Sequence, residues 1–180
     1  MMHRVLVLGA GKIGSLIACL LNQRGQYEVH LGDMALDAPK HLVEELGLER
    51  VTPCLLDVLH PDAVGTYLSA HRFDAVLSSL PYFCNPTVAR FALTHRLHYF
   101  DLTEDVDVTN QIKVLSTGAT QAFMPQCGLA PGFISIVAHE LMTHFEMLDT
   151  VKMRVGALPV HPSNALKYSL TWSTDGLINE

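Results

Sequence analysis

The sequence predicts an α/β fold built on a doubly wound parallel sheet, followed by the start of a second α+β unit. Three observations predict it. Short β-rich runs alternate with amphipathic helical windows almost without a break from residue 4 to about residue 125. The first run leads directly into Gly9-Ala10-Gly11-Lys12-Ile13-Gly14, which opens a helix. The chain is also apolar enough for strands that are buried on both faces.

Arg4–Leu8 reads as the first strand, and Lys12–Arg24 as a helix closed by Gly25. Tyr27–Leu31 is the second strand. Ala38–Leu46 is helical and stops at Gly47. Val51–Leu56 is a strand that Pro53 pushes toward a sheet edge, since proline has no N–H to offer a neighbour. His60-Pro61-Asp62 opens a helix, with proline in the first turn and an acid at the positive dipole end. Asp74–Ser78 is the fourth strand. Asn85 is expected to cap the next helix, with Pro86 in its first turn. A strand at His98–Leu102, a helix at Val106–Ser116 and a strand at Gln121–Met124 complete six βα repeats. That is the extent of a whole nucleotide-binding domain of Rossmann type, with right-handed crossovers.

The tract Cys127-Gly128-Leu129-Ala130-Pro131-Gly132 then interrupts the pattern. A helix at Phe133–Phe145, a longer strand at Thr150–Leu158 and a helical start at Trp172 follow. The expected domains are therefore 1–130 and 131–180. The last helix begins near Ser173 and meets no stop signal before Glu180, so the second unit is expected to be incomplete.

Composition narrows the function classes. With 49 % apolar and 17 % charged residues, disorder is excluded. Lys+Arg 12 against Asp+Glu 18 gives a net charge of −6, which suits neither nucleic acid nor an anionic membrane. No uncharged stretch reaches the ~18 residues a membrane span needs. Cys19, Cys54, Cys84 and Cys127 lie at least 30 residues apart, with no paired spacing. A soluble, cytoplasmic protein with reduced thiols is expected.

The glycine motif carries the chemistry. Gly9 permits a tight turn, Gly11 lets a pyrophosphate approach the backbone, and Gly14 lets the helix pack close to the strand. The N–H groups around Lys12 and Ile13 supply donors and a positive dipole end. Asp33 lies 19 residues beyond Gly14, at the end of the second strand, where a carboxylate accepts from the adenosine ribose hydroxyls. A carboxylate there repels a 2′-phosphate, so NAD is favoured over NADP. FAD shares the motif, and a glycine-rich turn that binds another phosphate, or nothing, is the bland alternative.

Other candidates face the same edge of the sheet. Asp57 ends the third strand near the adenine side, or is a solvated loop acid. Ser79, Leu80 and Pro81 follow the fourth strand at the switch point, where loop backbone touches the nicotinamide ribose. Asp101 and Glu104 follow the fifth strand, where loop acids are also common. Cys127 stands beside a substrate or is a small buried thiol. His139 and His144 are spaced five apart and so turned ~140° from each other on a helix, which excludes joint chelation of a metal. No Tyr-x-x-x-Lys pair is present, which argues against the short-chain dehydrogenase mechanism.

Several segments together resemble the saccharopine dehydrogenase / lysine 6-dehydrogenase-like reductases. They are Gly9–Gly14, Leu80-Pro81-Tyr82 with Asn85-Pro86, Tyr99–Thr103, Cys127–Gly132, Gly156–Pro159, Leu170–Ser173 and Asp175–Ile178. The resemblance implies a Rossmann domain joined to a substrate domain on a mixed sheet, and a homodimer made through that second domain. It implies NAD(P)-dependent oxidation or reduction at the carbon–nitrogen bond of an amino acid or an amine derived from one. It also implies Tyr82, Asp101 and Cys127 as residues bordering the reaction. Many relatives carry an acid where Ala130 stands, which points away from saccharopine itself and toward the lysine 6-dehydrogenase-like branch or an uncharacterised one. Relatives run to more than twice this length, so the isolated chain is expected to bind cofactor without turnover. A non-catalytic nucleotide-sensing module is the rival from another class.

Overall fold

The computed structural model describes residues 1–156 together with 160, 161, 165 and 167. Six parallel strands form one sheet: β1 (His3–Leu8), β2 (Tyr27–Asp33), β3 (Val51–Leu55), β4 (Ala75–Ser78), β5 (His98–Asp101) and β6 (Phe123–Met124). Their order is β3-β2-β1-β4-β5-β6. The chain moves outward from β1 in one direction, returns, and moves outward in the other. The carboxyl edge between β1 and β4 is therefore the switch point, where such sheets open a crevice.

The linking helices are α1 (Lys12–Arg24), α2 (Asp37–Leu46), α3 (Pro61–Ala70), α4 (Asn85–His95) and α5 (Val106–Leu115). Alternation along the strands decides which face each helix covers. Val5, Val7, Val29 and Leu31 pack with Ala18 of α1 and with Leu42 and Val43 of α2. Leu6, Leu8, Val76 and Tyr99 pack on the other face, against Val64 of α3, Val88 and Ala92 of α4 and Ile112 of α5. Fully burying one such side chain contributes about 1.5–3 kcal/mol. Gly25 and Gly47 close α1 and α2 in the left-handed conformation. β3, with Pro53, lies at the sheet edge as its proline requires.

Four expectations are corrected. Asn85 does not cap α4: a 3-10 turn at Tyr82–Cys84 starts the coil earlier, and the cap position is Cys84. The sixth strand is two residues, Phe123–Met124, because residues 120–121 are still in the bend that follows α5. The following helix, α6 (Phe133–Met142), stops short of Phe145, where the Thr143 hydroxyl donates to the Glu140 carbonyl oxygen at 2.6 Å and competes with the helical pattern. Residues 150–156 form no strand. Val151, Met153 and Val155 alternate as a strand would but stay exposed, and no neighbour among the described residues takes up their backbone groups. Residues 157–158 of that stretch, and the helical start at Trp172 and Ser173, lie outside the described residues. Among the described residues no helix is long and apolar enough to cross a membrane.

A half-buried aromatic cluster makes stability depend on pH. His30 Nδ1 lies 2.5 Å from the Tyr67 hydroxyl, Tyr67 stacks on His71 at 4.3 Å, and Phe73 meets His30 edge-on. Burial first, then the charges of His71 and Arg4, hold His30 below its ordinary value of 6.5 against a pull from Glu28. The unfolded chain therefore takes up this proton at higher pH than the folded one. The stabilisation is complete above about pH 6.5 and is lost as pH falls below it. Thermal denaturation from pH 7.5 to 5.5 should show a falling midpoint, flattened by His30→Gln, which keeps a partner for Tyr67 but does not titrate.

Candidate functional site

The glycine turn is packed from below and open above. Gly9 has φ +96° while its N–H stays bonded to the Gly32 carbonyl at 2.8 Å, and a Cβ there would lie 2.7 Å from the Ser79 carbonyl oxygen. A Cβ at Gly14 would lie 1.8 Å from the Gly9 carbonyl oxygen, so α1 and the turn touch backbone to backbone. A Cβ at Gly11 would meet nothing within 4 Å. This chain's own packing does not demand glycine at position 11. Above it the first turn of α1 has no side-chain cap, and Gly11, Lys12 and Ile13 are exposed. Orphan N–H groups over open space are what a diphosphate needs, so the residues present fit such a group.

Asp33 ends β2 beside this turn. Its Oδ2 accepts from the Ala10 N–H at 2.7 Å, and its Oδ1 accepts from the Ala35 N–H at 3.0 Å. The carboxylate thus holds the turn in place, and it remains partly exposed. A carboxylate offers about four acceptor positions, so two remain. Asp57 shapes the turn after β3: its Oδ1 accepts from the Leu59 N–H at 2.9 Å, and its Oδ2 lies 3.6 Å from His60 Nε2. Burial pushes the Cys84 thiol up, and the Asp57 charge adds to this. Ser79 donates its N–H to the Leu8 carbonyl at 2.8 Å, and Leu80 closes on Gly9. Pro81 follows, exposed, just before the 3-10 turn. Gly9–Gly14, Asp33, Asp57 and Ser79–Pro81 therefore share one edge around the switch point.

Asp101 and Cys127 meet further along that edge. Asp101 is 0 % exposed. Its Oδ2 accepts from the Tyr99 hydroxyl at 2.6 Å, and its Oδ1 accepts from the N–H groups of Thr103 at 2.9 Å and Gln126 at 3.0 Å. The Cys127 N–H donates to the Asp101 carbonyl at 2.8 Å. Tyr82 is half-buried on the neighbouring loop, edge-on to Phe83. Cys127 is exposed, which corrects its reading as a buried thiol: it sits on a turn outside the sheet. Partial shielding of the sulfur, then the Asp101 charge, still pushes its thiol above the ordinary value. At neutral pH it keeps its proton, and iodoacetamide labelling of Cys127 should be slow and should accelerate with each step up in pH.

Sequence reasoning missed several residues here. Ser78 Oγ donates to Asn85 Oδ1 at 2.7 Å, and both residues are 1 % exposed. Tyr99 shares a strand face with Asp101, a pairing that the two-residue period could have revealed. Gln126 has φ +64°, and Gly132 has φ +127° with space for no Cβ. Neither has a local signal beyond the glycine itself. Among the described residues no three or more His, Cys, Asp or Glu side chains gather as a metal site.

Comparison with known proteins agrees with the fold. The family described as saccharopine dehydrogenase NADP binding domain matches residues 5–123. Alpha-aminoadipic semialdehyde synthase, mitochondrial, of Mus musculus is 26 % identical over 97 % of this chain and 19 % of its own length. The Bos taurus protein of that name is also 26 % identical, over the same shares. The chain thus spans about a fifth of the length of these relatives. Apo saccharopine dehydrogenase (L-Glu forming) of Saccharomyces cerevisiae superposes with a TM-score of 0.75 at 21 % identity, covering 98 % of this chain and 40 % of that one. A scyllo-inositol dehydrogenase of Lactobacillus casei with bound NAD(H) reaches 0.59 at 15 % identity, over 80 % of this chain and 40 % of that one. Both likenesses speak for the fold. The chain belongs to the saccharopine dehydrogenase NADP-binding-domain family.

Proposed function

We propose that this chain holds NAD(H) for an oxidoreductase that acts on the carbon–nitrogen bond of an amino acid or an amine derived from one. The observation that carries the cofactor choice is Asp33, a carboxylate beside the glycine turn with acceptor positions to spare. Ribose hydroxyls fill such positions, whereas a 2′-phosphate is repelled. The family description names NADP. Met34, Ala35, Leu36 and Asp37, which follow Asp33, offer no cation to a 2′-phosphate. The amine substrate is supported by the names of the similar yeast and mouse proteins.

When bound, the nicotinamide supplies hydride chemistry that no side chain has. The chain's own work is to hold and orient. The α1 N-terminus binds the diphosphate, Asp33 the adenosine ribose, Asp57 borders the adenine side, and Ser79–Pro81 support the nicotinamide ribose. Tyr82 and Cys127 border the reacting atoms, Asp101 is buried behind them, and Cys127, protonated at neutral pH, is a donor there. A homodimer and a reducing compartment, the cytoplasm, complete the reading; four free cysteines support the latter, although the relatives' names place those proteins in the mitochondrion.

Steady-state assays of the intact protein with NAD and lysine, saccharopine and related secondary amines test the activity. Turnover of at least one amine is expected. NADH binding without turnover of any amine would instead favour a nucleotide-sensing module.

A further inference from the structure

The buried polar side chains of the described residues gather in one region. They are Ser78, Asn85, Asp101, Thr103 and Thr109, and Ser78 and Asp101 end neighbouring strands in register. A carboxylate with no exposed surface is costly unless its oxygens are engaged. In Asp101 both are, by Tyr99, Thr103 and Gln126. Burial and the Asp101 charge push Tyr99 far up, so it remains a donor at any working pH.

Two of the bonds made by Asp101 reach across the sequence to adjacent residues: its carboxylate accepts from the Gln126 N–H, and its main-chain carbonyl accepts from the Cys127 N–H. The strand leading there is two residues long, so the ladder itself gives that segment little support. Gln126 holds a positive φ, a conformation that non-glycine residues seldom adopt without outside support. The turn from 126 to 132 then closes on itself. The Phe133 N–H donates to the Gly128 carbonyl at 2.9 Å, and a Cβ at Gly132 would lie 2.4 Å from that same oxygen. A compact turn is thus moored to the sheet at Asp101.

This mooring lies on the β4–β5–β6 side of the switch point, opposite Asp33 and Asp57. A dinucleotide in such a sheet puts one nucleotide half on each side. We infer that Asp101 is a positioning residue: through its side-chain bond to the Gln126 N–H it sets the turn that borders the nicotinamide half of the site, and it is not the base that takes the substrate proton. The inference rests on the NAD(H) reading. A base needs an oxygen within reach of the proton it removes, and Asp101 presents none to solvent.

Titration with NADH and with ADP-ribose, which lacks the nicotinamide, tests this. Asp101→Ala should weaken NADH at least tenfold and leave ADP-ribose within about twofold. Asp101→Asn should restore most of the NADH affinity, since its one side-chain oxygen can accept from the Thr103 and Gln126 amides while its NH2 faces the Tyr99 oxygen. A base with no positioning role would leave NADH binding unmoved in all variants. Equal weakening of both ligands, or of neither, overturns the inference. Should Asp101→Ala not fold, hydrogen exchange of the unsubstituted chain decides. NADH, and not ADP-ribose, should slow the Gln126 and Cys127 amides, and equal slowing by both or by neither refutes the idea. Failure of the unsubstituted chain to bind either ligand is a different outcome, which refutes the NAD(H) reading and the inference with it.

Discussion

Gly14→Ala is expected to remove both NADH binding and much of the stability of the fold, whereas Gly11→Ala removes binding alone. A Cβ at position 14 would stand 1.8 Å from the Gly9 carbonyl oxygen and 3.0 Å from its carbon. These are backbone atoms, so no rotamer change relieves the overlap. Gly9 cannot retreat either, because its N–H is bonded to Gly32 and the Ser79 carbonyl closes on its other side. The turn and α1 must part. We expect a loss of about 3–5 kcal/mol, among the largest seen for single substitutions. In a chain of this size that lowers the thermal midpoint by roughly 10 °C. Position 11 is the opposite case, with φ −72° and open space around it. Alanine there costs about 0.5–1 kcal/mol as a poorer N-cap. Its methyl nevertheless stands where a diphosphate meets the backbone, and NADH affinity should fall about a hundredfold. Thermal denaturation with NADH titration separates the two effects. Wild-type binding by Gly11→Ala would reduce the motif to a turn.

Asp33→Ser combined with Met34→Arg should invert the cofactor preference. Removing the carboxylate takes away the acceptor for ribose hydroxyls and the repulsion of a 2′-phosphate. The new guanidinium offers that phosphate a fork of donors. The loss of the Ala10 and Ala35 bonds loosens the turn, with a stability cost of about 1–2 kcal/mol. We expect NADH affinity to fall ten- to a hundredfold and the NADPH/NADH affinity ratio to rise by at least a hundredfold. An unchanged ratio in paired titrations would remove Asp33 from the ribose role.

What the sequence made legible was local. Lys12–Arg24 is a helix to the residue because its apolar spacing, the glycine turn before it and Gly25 after it lie within one continuous window. Pro53 placed β3 at an edge because a missing N–H is a property of one residue. The glycine motif was readable because its spacing is local, with Gly14 answering Gly9 five residues away, whereas the Ser79 carbonyl that crowds Gly9 comes to it only through the fold. The illegible parts depend on partners distant in sequence or on backbone shape. Asn85 looks like a cap beside Pro86, yet its amide serves Ser78, seven residues earlier, because the 3-10 turn begins the coil first. Asp101 looks like one more acid at a strand end, and only the fold brings Gln126 to it from 25 residues away. The positive φ of Gln126 has no compositional sign. The alternation from Thr150 onward has the period of a strand, but pairing requires a neighbour that pattern alone does not supply.

The most direct measurement is a fluorescence titration of the unsubstituted chain with NADH and NADPH in parallel. Tighter binding of NADH is the expected result, from the open glycine turn and Asp33 acting together. Tighter binding of NADPH would keep the fold and discard Asp33 as the discriminator, and binding of neither would contradict the account of the glycine turn as a cofactor site.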